Sequence, residues 1–103
     1  MTHYRILYWK TFPVQVKAWQ GDEKTVAMLP DRFERAANVA AMVAGSTDSD
    51  AYLAGWQWGE LQKRPGDVAD VLEQVISELD QAYPWTKLQQ MVRSYRAPKD
   101  EET

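Results

Sequence analysis

Tyr4-Arg5-Ile6-Leu7-Tyr8-Trp9-Lys10-Thr11-Phe12-Pro13-Val14-Gln15-Val16-Lys17-Ala18-Trp19 is the stretch whose reading decides the fold. Its first seven residues are dense in β-branched and aromatic side chains and predict a strand; Pro13 then breaks the pattern within a short connection at Thr11-Phe12-Pro13. Beyond the break, apolar and polar residues alternate. The period-two rule puts Val14, Val16 and Ala18 on one face and Gln15, Lys17 and Trp19 on the other. The reading is strand, turn, strand, with one face for a core and one for water.

Working outward, Gln20-Gly21-Asp22-Glu23 supplies turn chemistry, and residues 24–29 add a third strand in a meander. Pro30 suits the first turn of a helix over residues 30–44, and Asp31 and Glu34 complement the positive end of its dipole. Phe33, Ala36, Ala37, Ala40 and Ala44 fall on one stripe, whose small side chains let the helix lie close to a sheet. Gly45 is the expected stop, and Ser46-Thr47-Asp48-Ser49-Asp50 reads as an exposed loop. Residues 52–61, with their Trp56-Gln57-Trp58 alternation, read as the last strand, Gly55 or Gly59 marking a bulge or a close approach. Asp67 is placed to cap a helix carrying Val68, Val71, Leu72, Val75, Ile76, Leu79 and Tyr83 at three- and four-residue steps. Pro84 breaks it, and Trp85, Leu88, Met91, Val92 and Tyr95 repeat the spacing in a third helix, with Trp85 expected in the core. The order β-β-(β)-α-β-α-α predicts an α+β two-layer sandwich: a mainly antiparallel sheet of three or four strands with helices on one face. One domain is expected over residues 1–96, with a disordered tail over 97–103.

Composition narrows the function classes. The chain has 103 residues, 45% hydrophobic and 26% charged, which suits one globular domain. A net charge of -3 argues against a protein whose main task is neutralising phosphates, so single-stranded nucleic acid stacked on an aromatic sheet face is the weakest of the readings considered. With no cysteine, disulfides, thiolate metal sites and thiol nucleophiles are excluded. No signal-like segment opens the sequence, and its longest apolar run, residues 39–45, falls short of the roughly 20 residues a membrane helix needs, so a cytoplasmic location is expected.

With these elements placed, the chain resembles the conserved virulence factor domain, a small bacterial domain found alone or within longer proteins that also carry an Nfu-like domain and HEAT-like repeats. The resemblance rests on Leu7-Tyr8-Trp9-Lys10, Pro13-Val14-Gln15-Val16-Lys17, Leu29-Pro30, Tyr52 with Trp56, Val71-Leu72, Glu78-Leu79 and Tyr83-Pro84. These are hydrophobic and turn positions, so they imply a fold and carry over no catalytic residue.

No catalytic set, cofactor or metal is expected. His3 is the lone histidine and has no convergent partner in sequence. A calcium loop beginning at Asp48 would need Gly and Glu where the chain has Leu53 and Gly59. Ser46, Thr47 and Ser49 have no nucleophile elbow around them. The unusual feature is five tryptophans, a residue enriched where proteins meet partners. Trp56 and Trp58 share a strand face, and Trp19 lies opposite the valine face beside Lys17. The expectation is a protein-interaction or accessory module that binds a partner, or a second copy, through Trp19, Lys17, Trp56 and Trp58. The alternative is a small-molecule or enzymatic site converging on Asp50, Tyr52, Glu60 and Arg64 at one end of the sheet.

Overall fold

The computed structural model describes residues 1–45 and 49–95. Among these residues the elements run in the order β1 (Thr2–Trp9), β2 (Phe12–Gln20), β3 (Glu23–Met28), α1 (Asp31–Val43), α2 (Ser49–Ala54), β4 (Trp56–Trp58), β5 (Gln62–Arg64), α3 (Val68–Ala82) and α4 (Trp85–Ser94). The strands form one antiparallel sheet in the order β3-β2-β1-β4, with β5 also paired to β1. The fold is α+β as expected, with five strands in place of three or four.

The alternation in β1 and β2 sorts their side chains. Tyr4, Ile6, Val14, Val16 and Ala18 are buried beneath α1 and α3, together with the alanines of α1 and Val68, Val71, Leu72 and Val75 of α3. Asp67 caps α3, its carboxylate accepting from the Asp70 amide at 2.8 Å. Helix α4 packs on α1 and contributes Leu88 to the core. On α1 the buried stripe is Phe33, Ala36, Ala37, Ala40 and Ala41. Ala44, expected in that stripe, lies just past the helix end and is exposed, because Ala41 takes the inward position one turn after Ala37. Pro30 stands just before the first helical residue, with φ -52° and ψ 151°.

The expected long strand over residues 52–61 is not formed. Ser49–Ala54 is helical, the strand is only Trp56–Trp58, and Gln62–Arg64 forms a separate strand at the other end of β1. The reason is Trp9, which is fully buried at the end of the first hairpin. Its indole N–H donates to the Tyr52 carbonyl at 2.8 Å and its ring stacks on Tyr52 with centroids 5.8 Å apart. The Lys10 amide donates to the Gly55 carbonyl at 2.7 Å. A helical turn followed by Gly55 closes over the indole, and a strand through the same residues would not. Of the expected loop, Ser49 and Asp50 open α2, and Ser46, Thr47 and Asp48 lie outside the described residues, as does the expected tail over 97–103.

Trp85 is also displaced from its expected place. It is the first residue of α4 and 49% exposed, at the rim of a groove lined by Ala36, Val39, Leu88, Gln89, Val92 and Arg93. Among the described residues, no helix is long and apolar enough to cross a membrane.

Gly55 tests the closure around Trp9. A β-carbon there would lie 2.6 Å from Nε1 and 2.7 Å from Cε2 of the indole. Gly55→Ala is expected to lower unfolding stability by about 1–3 kcal/mol through overpacking, seen as a lower urea midpoint with an unchanged slope.

Candidate functional site

The sheet face opposite the helices is built from the residues the core rejects. Strand register sets them in three rows across the sheet. Lys63, His3, Trp19 and Lys24 form the first; Arg5, Lys17 and Val26 the second; Trp58, Leu7, Gln15 and Met28 the third. Lys17 stands in the middle row, between the two tryptophans.

Its Nζ lies 5.7 Å from the Trp19 ring centroid and 5.7 Å from that of Trp58. Two cation–π contacts at an exposed site are worth about 0.5–1 kcal/mol each. They draw together rings that start on strands two places apart in the sheet. The His3 ring lies on the other tryptophan of this group, Trp19, with centroids 5.8 Å apart and planes 16° from parallel. Trp58 is 42% exposed on one edge of the face, and Val26 and Met28 are about half exposed on β3 at the other edge. Lys17, Trp19 and Lys24 also line a concavity with Gly21 and Asp22 of the β2–β3 turn.

The charges on this face are one-sided. Arg5, Lys17, Lys24 and Lys63 project there, and none of the eleven positions in the three rows carries a carboxylate. The rest of the chain holds all fifteen Asp and Glu against the remaining eight Lys and Arg. An acidic chain therefore presents a basic, aromatic surface, and its net charge averages away this segregation.

Of the four residues singled out in the sequence, Trp19, Lys17 and Trp58 come together. Trp56 does not join them. It pairs with Trp9 in the register and packs edge-on against Tyr52, with centroids 5.9 Å apart, in the closed end of the hairpin. The sequence reading missed His3, Arg5, Lys24, Val26, Met28 and Lys63. The alternation of β3 carried a signal for Lys24, Val26 and Met28, whereas His3, Arg5 and Lys63 reach the face only through cross-strand register.

Comparison with known proteins gives a family described as Virulence factor, matched over residues 7–92. The chain belongs to the virulence factor family. A similar relative is "Conserved virulence factor C" of Staphylococcus haemolyticus (strain JCSC1435), 30% identical over 85% of this chain and 22% of the relative. The protein of the same name from Staphylococcus saprophyticus is 27% identical over 86% of this chain and 23% of the relative. The chain thus spans less than a quarter of the length of these curated relatives. No solved structure matches. The family match takes in Lys17, Trp19, Lys24, Trp58 and Lys63 and begins after His3 and Arg5.

In this virulence factor domain the residues of the alternative polar site are dispersed. Tyr52 lies beside Trp9 and its hydroxyl donates to Asn38 at 3.3 Å, whereas Arg64 pairs in register with Thr2 at the opposite end of β1. Asp50 is in the first turn of α2, and Glu60 is exposed between β4 and β5. Arg64 is committed elsewhere: its guanidinium donates to both Glu78 carboxylate oxygens at 2.7 and 2.6 Å and to the Tyr4 hydroxyl at 3.3 Å. Among the described residues, no group of three or more His, Asp or Glu is placed to hold a metal ion.

The Arg64 hydrogen bonds hold the Glu78 carboxyl below its ordinary value of 4.5, and the same bonds push the guanidinium up. A depressed carboxyl contributes stability above its unfolded-state value and loses it as pH falls through the folded-state value. Because Glu78 is largely exposed, the contribution is a fraction of 1 kcal/mol, up to about 1. Glu78→Gln is expected to cost that much at pH 7, and the difference from wild type should shrink as pH drops well below 4.5, followed by denaturant titration at each pH.

Proposed function

We propose that this domain is a non-enzymatic protein-interaction or accessory module that engages another protein through its open sheet face. The observation that carries the reading is the Lys17 ammonium held 5.7 Å from the ring centroids of both Trp19 and Trp58, on a face whose outward strand positions carry no carboxylate. Exposed tryptophans carry large rigid contact area at little entropic cost, and they dominate many binding energies when buried by a partner. A monomer gains nothing by leaving Trp58, Val26 and Met28 in water on one face, and exposed apolar surface of this kind marks contact sites. In this reading Trp19, Lys17 and Trp58 contact the partner, Trp56 supports the closed hairpin end, and the module acts in the cytoplasm. The curated relatives are several times longer, which fits a module that serves a larger assembly.

The test is capture from cell lysate with three proteins: wild type, the Trp19→Ala/Trp58→Ala double variant and Trp85→Ala, whose ring is exposed on the helical side. A protein retained by wild type and Trp85→Ala, and lost by the double variant at unchanged thermal stability, is the expected result. Equal retention by all three overturns the assignment of the face.

A further inference from the structure

We infer that the occupant of this face is an extended acidic segment of a partner protein that pairs with β3 as an additional strand. The inference rests on the face assigned above and adds the chemistry and geometry of what binds it.

The first observation is an open edge. Among the described residues β3 ends the strand order and pairs only with β2, through six consecutive register positions without a bulge. Beyond the strands, the Leu29 amide donates to the Val14 carbonyl at 3.0 Å. In an antiparallel ladder alternate residues bond to the neighbour, so Ala27, Thr25 and Glu23 share the inward orientation of Leu29. The backbone N–H and C=O groups of Lys24, Val26 and Met28 therefore point away from the sheet. Among the described residues, no backbone group takes them up. Edge strands are usually blunted by proline, bulges or charge. Here Glu23 and Lys24 stand at the turn end, and Thr25, Val26, Ala27 and Met28 follow without charge or proline.

The second observation is that the same three residues place their side chains on the basic face, opposite Trp19, Lys17 and Gln15. A strand added along this edge sets alternate side chains beside them. An acidic side chain suits the position next to Lys24, with Lys17 on the adjoining strand β2. Apolar side chains suit the positions next to Val26 and Met28, each about half exposed. A second copy pairing through its own β3 would instead lay its Lys17, Lys24, Arg5 and Lys63 on one continuous face beside the first set, like charge against like. Single-stranded nucleic acid could use the tryptophans and lysines, but it has no ladder of amides for the open edge and no counterpart for Val26 and Met28.

The experiment uses a fluorescein-labelled peptide, Thr-Glu-Thr-Val-Thr-Val-Thr-Glu-Thr, capped at both ends and titrated by anisotropy. The expected result is saturable binding, weakened at least tenfold when both Glu are replaced by Lys and at least tenfold when alternate peptide amides are N-methylated. Val26→Pro removes an outward N–H while sparing the ladder to β2 and should weaken binding to the same degree; the methylated peptide reads the same bond should that variant not fold. No saturable binding, or binding indifferent to both methylation and charge, overturns the inference. Tighter binding of a twelve-residue oligo-thymidine than of the peptide overturns it in favour of nucleic acid, and a wild-type dimer in sedimentation that Val26→Pro dissolves overturns it in favour of a second copy. Partner capture that needs Trp19 and Trp58 but survives Val26→Pro leaves the face standing and removes the added strand.

Discussion

The pairing of β1 with β2 is the constraint on which the other elements depend. It sets His3 opposite Trp19, Arg5 opposite Lys17 and Leu7 opposite Gln15, and by the same register sets Tyr4, Ile6, Val16 and Ala18 facing the helices. A slip of one residue would exchange the two sets and bury lysines under α1 and α3. The core therefore specifies the outer face as firmly as it specifies itself. The register shift between Leu7 and Tyr8 then turns the end of the hairpin, where Trp9 is fully buried and becomes the anchor for α2 and β4.

Seen this way, the two ends of β1 do different work. At the Trp9 end the polypeptide closes tightly, with the indole N–H bonded to Tyr52 and no room for a side chain at Gly55. At the Thr2 end β5 is pinned by Arg64, which reaches Tyr4 on the sheet and Glu78 on α3. Helices α1 and α3 are joined by a second arginine, Arg32, bonded to the Asp80 carboxylate at 2.6 Å and to the Tyr83 carbonyl. These arginines serve architecture, since each ties one element to another. Arg5, Lys17, Lys24 and Lys63, none of them in an ion pair among the described residues, stand together on the bare side of the sheet. This division supports reading that side as the working surface of a domain from the virulence factor family.

Much of this was legible in the chain itself. The alternation of Val14 to Trp19, the three- and four-residue steps of α3, the Asp67 cap and the break at Pro84 are local signals that depend on strand and helix period, and the structure follows them. The same period placed Trp19 opposite the valines and beside Lys17. Legibility fails where one segment's conformation is set by another's need. Tyr52 to Ala54 have the aromatic and aliphatic character of a strand, yet they fold as a helix because Trp9, some forty positions earlier, requires a carbonyl and a ring as cover. Trp85 has the spacing of a core residue but stands at the first turn of α4, at the rim of an open groove that leaves it half exposed.

What the sequence by itself determined is the class of fold, the inward and outward faces of the second strand, and the absence of thiol chemistry, because each follows from residue type and local period. Tertiary structure alone decided that Lys17 meets both Trp19 and Trp58, that His3 lies flat on Trp19, and that an acidic chain brings Arg5, Lys17, Lys24 and Lys63 to one face of its sheet. Those facts are products of register between strands distant in the chain. Register is a property of pairs, and no single strand's residues contain it.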